Sequence, residues 1–120
     1  MTRVLTVLAA LALACWLAPT AALAQPECDE CCETYDACME TCEDVFNECM
    51  EDCEQEWINC VNGCAPPGQP VPMWCRMRCQ QVYNACAGDC EGDWGQCKGW
   101  CWIGRHGCLI VNECGDDYCD

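Results

Sequence analysis

From Pro26 to Asn62 the chain alternates apolar or sulfur-bearing positions with acidic and amide ones on an eleven-residue cycle: Tyr35-x-x-Cys38-x-x-x-Cys42, Phe46-x-x-Cys49-x-x-x-Cys53, Trp57-x-x-Cys60-x-x-x-Cys64. Eleven residues are three turns of about 3.67 residues, so on a helix the cysteines stay on one stripe with a slow right-handed drift. On a strand the steps of 4 and 7 would scatter the same cysteines over both faces. The pattern therefore predicts a helix over about 27–63, with Pro26 suited to its first turn and Asn62-Gly63 followed by Pro66 as its stop.

The same unit returns further along as Tyr83-x-x-Cys86-x-x-x-Cys90 and Trp94-x-x-Cys97-x-x-x-Cys101, predicting a second helix over about 73–106. Four prolines within the intervening turn, Pro66, Pro67, Pro70 and Pro72, forbid one continuous helix through 65–72. Gly88, Gly92, Gly95 and Gly99 oppose the second helix by about 1 kcal/mol each relative to alanine. The cysteine register persists through them. Residues 108–120, rich in Asn, Gly and Asp, are expected to form an irregular tail tied down by disulfides.

The cysteines are arranged symmetrically about the turn. Before it they stand at 31, 38, 42, 49, 53, 60 and 64, and after it at 75, 79, 86, 90, 97, 101 and 108, so couples taken outward from the turn always add to 139. Antiparallel helices joined by a short loop place positions equidistant from that loop opposite one another. Axes 8–10 Å apart bring facing Cα atoms to the roughly 5.5–6 Å a disulfide needs. Seven nested rungs follow: Cys64–Cys75, Cys60–Cys79, Cys53–Cys86, Cys49–Cys90, Cys42–Cys97, Cys38–Cys101 and Cys31–Cys108. Continuing the nest, Cys32 and Cys28 are expected to close with the tail, most simply as Cys32–Cys114 and Cys28–Cys119. The fold class is all-α, a long two-helix hairpin stapled by interhelical disulfides.

The innermost unit, Cys60-x-x-x-Cys64 and Cys75-x-x-x-Cys79, resembles the twin C-x3-C helical hairpins of plant α-hairpinin defence peptides and of the small translocase chaperones of the mitochondrial intermembrane space. That resemblance implies two antiparallel helices held by an inner and an outer disulfide. It spans about twenty residues, concerns the fold, and transfers no functional residue.

Composition narrows the setting. Met1-Thr2-Arg3, the apolar run Val4 to Leu17 and Ala22-Leu23-Ala24 have the three parts of a secretory signal peptide over 1–24, leaving 25–120 as the mature chain with no further membrane span and a secreted or periplasmic destination. That segment holds 18 of the 19 cysteines, an even number, against only ten Val, Ile, Leu and Phe residues. A chain so poor in core residues depends on crosslinks to fold. Its charge is one-sided: residues 27–64 carry thirteen carboxylates and no Lys or Arg, and with Arg3 removed four cations face twenty carboxylates, a net −16. Such a field disfavours nucleic acid and anionic membranes and suits basic partners or none.

Catalysis finds little support. The chain has no serine and one histidine, His106, so Ser-His-Asp hydrolysis is excluded and Cys-His chemistry would rest on one residue. Cys28-x-x-Cys31 has redox spacing but no βαβ surroundings. The expected role is a non-enzymatic structural or interaction module without cofactor. The alternative is storage of Cu(I) or another soft metal by clustered thiolates, which C-x-x-x-C helices and four methionines would suit. A third class, a secreted defence peptide or inhibitor, fits the scaffold but not the acidic charge.

Two surfaces are candidate partner contacts. Tyr35, Phe46 and Trp57 lie about 60–100° from the cysteine stripe, with Tyr83 and Trp94 at matching positions of the second helix. They serve either as a cover over the sulfurs or as a binding ribbon. Gly88, Gly92, Gly95 and Gly99, with Ala85, form a seam on the back of the second helix, where another backbone could approach closely.

Overall fold

A computed structural model describes residues 25–120; the expected signal peptide, 1–24, lies outside the described residues. The chain forms two α-helices, α1 (Pro26–Gly63, 38 residues) and α2 (Met73–Val111, 39 residues), packed antiparallel as an all-α hairpin. α1 begins on Pro26, whose missing N–H costs nothing in a first turn, with Glu27 and Asp29 at the positive end of the helix dipole. Its last turn is closed by the Cys64 N–H donating to the Val61 carbonyl at 3.0 Å. In the turn, Gly68 takes φ 81°, a left-handed conformation open to glycine, and the Gln69 N–H donates to the Pro66 carbonyl at 3.1 Å.

The core of this hairpin is sulfur. The buried residues are Cys28, Cys31, Cys42, Cys53, Cys79, Cys90, Cys101 and Leu109. Nine disulfides join α1 to α2 and its tail, with Cα–Cα separations between 5.4 Å for Cys32–Cys119 and 6.0 Å for Cys28–Cys114. Each such bridge contributes about 2–4 kcal/mol by restricting the unfolded chain, although nested bridges are not additive. The seven inner rungs run Cys64–Cys75, Cys60–Cys79, Cys53–Cys86, Cys49–Cys90, Cys42–Cys97, Cys38–Cys101 and Cys31–Cys108.

The far end departs from the expected arrangement in two ways. α2 does not stop near 106 but continues to Val111, so Cys108 lies within the helix. It ends in a Schellman turn. Glu113 adopts φ 56°, its N–H donates to the Ile110 carbonyl at 3.1 Å, and the Cys114 N–H donates to the Leu109 carbonyl at 2.8 Å.

That turn also corrects the outer pairing, which is Cys28–Cys114 and Cys32–Cys119 rather than Cys32–Cys114 and Cys28–Cys119. Nesting holds only while the chain keeps travelling away from the proline turn. At Glu113 it reverses. Cys114 is therefore left beside the outermost cysteine of α1, Cys28, and the returning tail carries Cys119 back to Cys32. Three tail contacts follow the same course: Tyr118 Oη donates to Asp29 Oδ1 at 2.9 Å, Asp120 Oδ1 lies 3.9 Å from Arg105 Nη1, and Asp116 Oδ1 lies 3.7 Å from His106 Nδ1.

Candidate functional site

The sulfur ladder is divided into pairs of rungs. A four-residue step rises about 6 Å and a seven-residue step about 10.5 Å, so two bridges sit one turn apart and a longer gap precedes the next two. Within each pair the neighbouring bridges touch: Cys42 and Cys101 Sγ are 3.4 Å apart, Cys53 and Cys90 3.5 Å, and Cys64 and Cys79 3.7 Å. Three groups of sulfurs, Cys38/Cys42/Cys101, Cys49/Cys53/Cys90 and Cys64/Cys75/Cys79, each lie within 4.8 Å of one another. Soft metals bind thiolates. Every cysteine among the described residues is instead committed to a disulfide, so these groups become metal donors only after reduction.

Cross-helix clasps span two of the long gaps, and aromatic side chains flank the third. Phe46 stacks on Trp94 with ring centroids 4.8 Å apart, and the Arg105 guanidinium lies 4.5 Å from the centroid of Tyr35. Trp57 and Tyr83 line the third gap together with Glu54 and Gln80. Lys98 Nζ sits 3.4 Å from the Trp94 ring centroid, adding a cation–π contact. All five aromatic residues of this flank are half-buried. Arg105 is the partner sequence reading missed. Its signal was the position: Tyr35 and Arg105 are equidistant from the turn in the same way as Phe46 with Trp94 and Trp57 with Tyr83.

Behind the clasps small hollows remain, of about 50 Å³ beside Val45 and Asp93 and about 90 Å³ beside Thr34 and Gly104. Ligand pockets usually need at least about 300 Å³. Neither hollow can take an organic substrate.

The outward side of α2 is different in kind. A Cβ placed on Gly88, Gly92, Gly95 or Gly99 would meet nothing within 4 Å, so nothing in the described chain covers the seam. Bulky apolar side chains stand towards both of its ends: Met73, Trp74 and Met77 towards the turn, Ile103 and Ile110 towards the tail, all exposed. α1 offers the opposite surface, with Val45 and Ile58 its exposed large hydrophobics among thirteen carboxylates. The ion pairs among the described residues both lie at the tail; of α1's carboxylates Asp29 accepts from Tyr118, and none is paired with a cation. No described helix is long and apolar enough to cross a membrane.

No protein-family model, curated protein or solved structure matches this chain.

Proposed function

We propose that the chain is an exported, acidic structural or interaction module without catalytic activity, which presents the outward side of α2 to a protein partner or to another copy of itself. The observation that carries this reading is the division of the hairpin into two unlike sides. α2 leaves Trp74, Met77, Ile103 and Ile110 exposed along an uncovered glycine seam, whereas α1 is acidic throughout. Exposed apolar surface of this extent marks contact surfaces. Nine bridges hold that side rigid, which lowers the ordering cost of docking. The disulfides are consistent with an oxidising, extracellular or periplasmic setting, and the −16 charge argues against nucleic acid.

Gly92→Leu tests the surface. The substituted chain is expected to keep all nine disulfides while losing any self-association or partner capture seen by sedimentation with the parent protein. A parent that is monomeric and captures no partner, or a variant indistinguishable from it, removes this surface from the proposal.

A second reading, storage of Cu(I) or a related soft metal, is favoured by the three groups of sulfurs within 4.8 Å. Thiol titration of the secreted protein under denaturing, nonreducing conditions separates the two. Near-zero free thiols support the module, and near-complete titration of the cysteines supports the store.

A further inference from the structure

Burial sorts the two sulfurs of most inner rungs. In Cys38–Cys101 and Cys49–Cys90 the α2 cysteine is buried and the α1 cysteine half-buried; in Cys42–Cys97 and Cys53–Cys86 the order is reversed. The contacts between neighbouring bridges join the inward members, Cys42 to Cys101 at 3.4 Å and Cys53 to Cys90 at 3.5 Å. Next to the turn, Cys64 meets the buried Cys79 at 3.7 Å. In the two pairs further from the turn the outer cysteines are thus the more exposed ones, and in all three pairs the inner sulfurs already touch each other.

We propose that each of the three pairs of rungs is a thiol–disulfide exchange site for a small external thiol, in which opening one bridge is followed by re-pairing across the two inner sulfurs. Exchange proceeds by thiolate attack on a disulfide sulfur through a mixed disulfide, and sulfurs already in contact bring the nucleophile against its target. An incoming thiolate RS⁻ attacks Cys38 Sγ, the Cys38–Cys101 bond breaks, and its electron pair leaves on Cys101. The Cys101 thiolate attacks Cys42 Sγ, forming Cys42–Cys101 and expelling the Cys97 thiolate, which takes a proton from water. One thiolate has entered and one has left, with two disulfides before and two after. A second RS⁻ then attacks the RS sulfur of the mixed disulfide, releasing RSSR and the Cys38 thiolate. Two thiols have been oxidised and one bridge reduced to the thiols of Cys38 and Cys97. The helices remain joined there by Cys42–Cys101. The equivalent products elsewhere are Cys53–Cys90, freeing Cys49 and Cys86, and Cys64–Cys79, freeing Cys60 and Cys75.

The Cys31–Cys108 rung supplies an internal control. One turn beyond Cys108, where a matching cysteine would stand, is Asn112, whose Nδ2 lies 3.6 Å from Cys31 Sγ. An amide cannot take part in exchange.

The test treats the folded protein with limiting glutathione, quenches in acid, alkylates the free thiols and maps the peptides without reduction. The expected products are the crosslinks Cys42–Cys101, Cys53–Cys90 and Cys64–Cys79, with label or glutathione on the outer cysteines, and Cys31 and Cys108 released only as a couple. Thiols appearing instead as native couples, such as Cys38 with Cys101 beside an intact Cys42–Cys97, overturn the proposal, as does a ladder that glutathione leaves unopened. A double variant gives a separate readout. Cys38→Ser with Cys97→Ser is expected to close Cys42–Cys101 and show no titratable thiol, whereas two free thiols at those positions would refute it.

Discussion

Phe46 and Trp94 stack across the hairpin with ring centroids 4.8 Å apart and planes 25° from parallel, midway between the Cys42–Cys97 and Cys49–Cys90 bridges. The pair explains why the repeat has eleven residues. A four-residue step seats two disulfides on consecutive turns; the seven-residue step leaves about 10.5 Å of helix that sulfur does not fill, and here a ring from each helix spans it.

Replacing one ring therefore opens one gap and leaves the bridges alone. Phe46→Ala removes the stack, worth about 0.5–1.5 kcal/mol beyond the area it buries. The expected result is roughly tenfold faster hydrogen exchange for amides around 46 and 94, with an unchanged disulfide map. Nonreducing peptide mapping and exchange mass spectrometry on the same sample check both halves.

The tail contact gives a pH dependence. Tyr118 donates to Asp29, and its pKa is raised first by that hydrogen bond, then by desolvation and by the carboxylate's negative charge, with a smaller opposing effect from a backbone hydrogen bond at Gln25. Because the folded value lies above the unfolded one, tail docking gains from this contact below about pH 10. The gain is lost as pH rises through the raised pKa. Asp29→Asn should bring the phenol of Tyr118 down towards its ordinary value, which carbon NMR of labelled tyrosine reads directly; an unmoved titration would show that the contact does not form in solution.

Glu113 holds the left-handed position of the Schellman turn, a conformation that costs a side-chain-bearing residue about 1–2 kcal/mol. Glu113→Gly should relieve most of that. Slower exchange of the Cys114 amide, which closes the turn on the Leu109 carbonyl at 2.8 Å, is the expected sign. Faster exchange would mean that the glutamate side chain contributes more than its backbone costs.

Asn112→Cys places a thiol one turn beyond Cys108, at the α2 position of a fourth pair of rungs whose α1 position is Glu27. Cys31 is then expected to divide between Cys108 and residue 112. Peptide maps at equilibrium should contain both crosslinks in comparable amount, whereas a map holding Cys31–Cys108 alone would show that Asn112 does not stand within reach of Cys31.

Spacing alone carried the helices and the opposed cysteines, because a helix repeats its face on a known period and a hairpin places equidistant positions opposite each other. Both rules are local or follow from one turn. They stop working where the chain changes direction. Residues 108–120 read as a loose continuation of the nest, yet Cys28 pairs with Cys114 and Cys32 with Cys119, because the reversal at Glu113 depends on capping hydrogen bonds to Leu109 and Ile110 and glutamate is no usual signal for that conformation. The aromatic flank was legible as a stripe; its closure by Phe46 on Trp94 and by Arg105 on Tyr35 was not, since a cation in an aromatic register is recognised only once both helices are in place. The contact between neighbouring bridges was likewise decided by tertiary packing. Sequence determined which cysteines of the seven inner rungs oppose one another, and the twist and separation of two real helices decided which sulfurs of adjacent rungs meet.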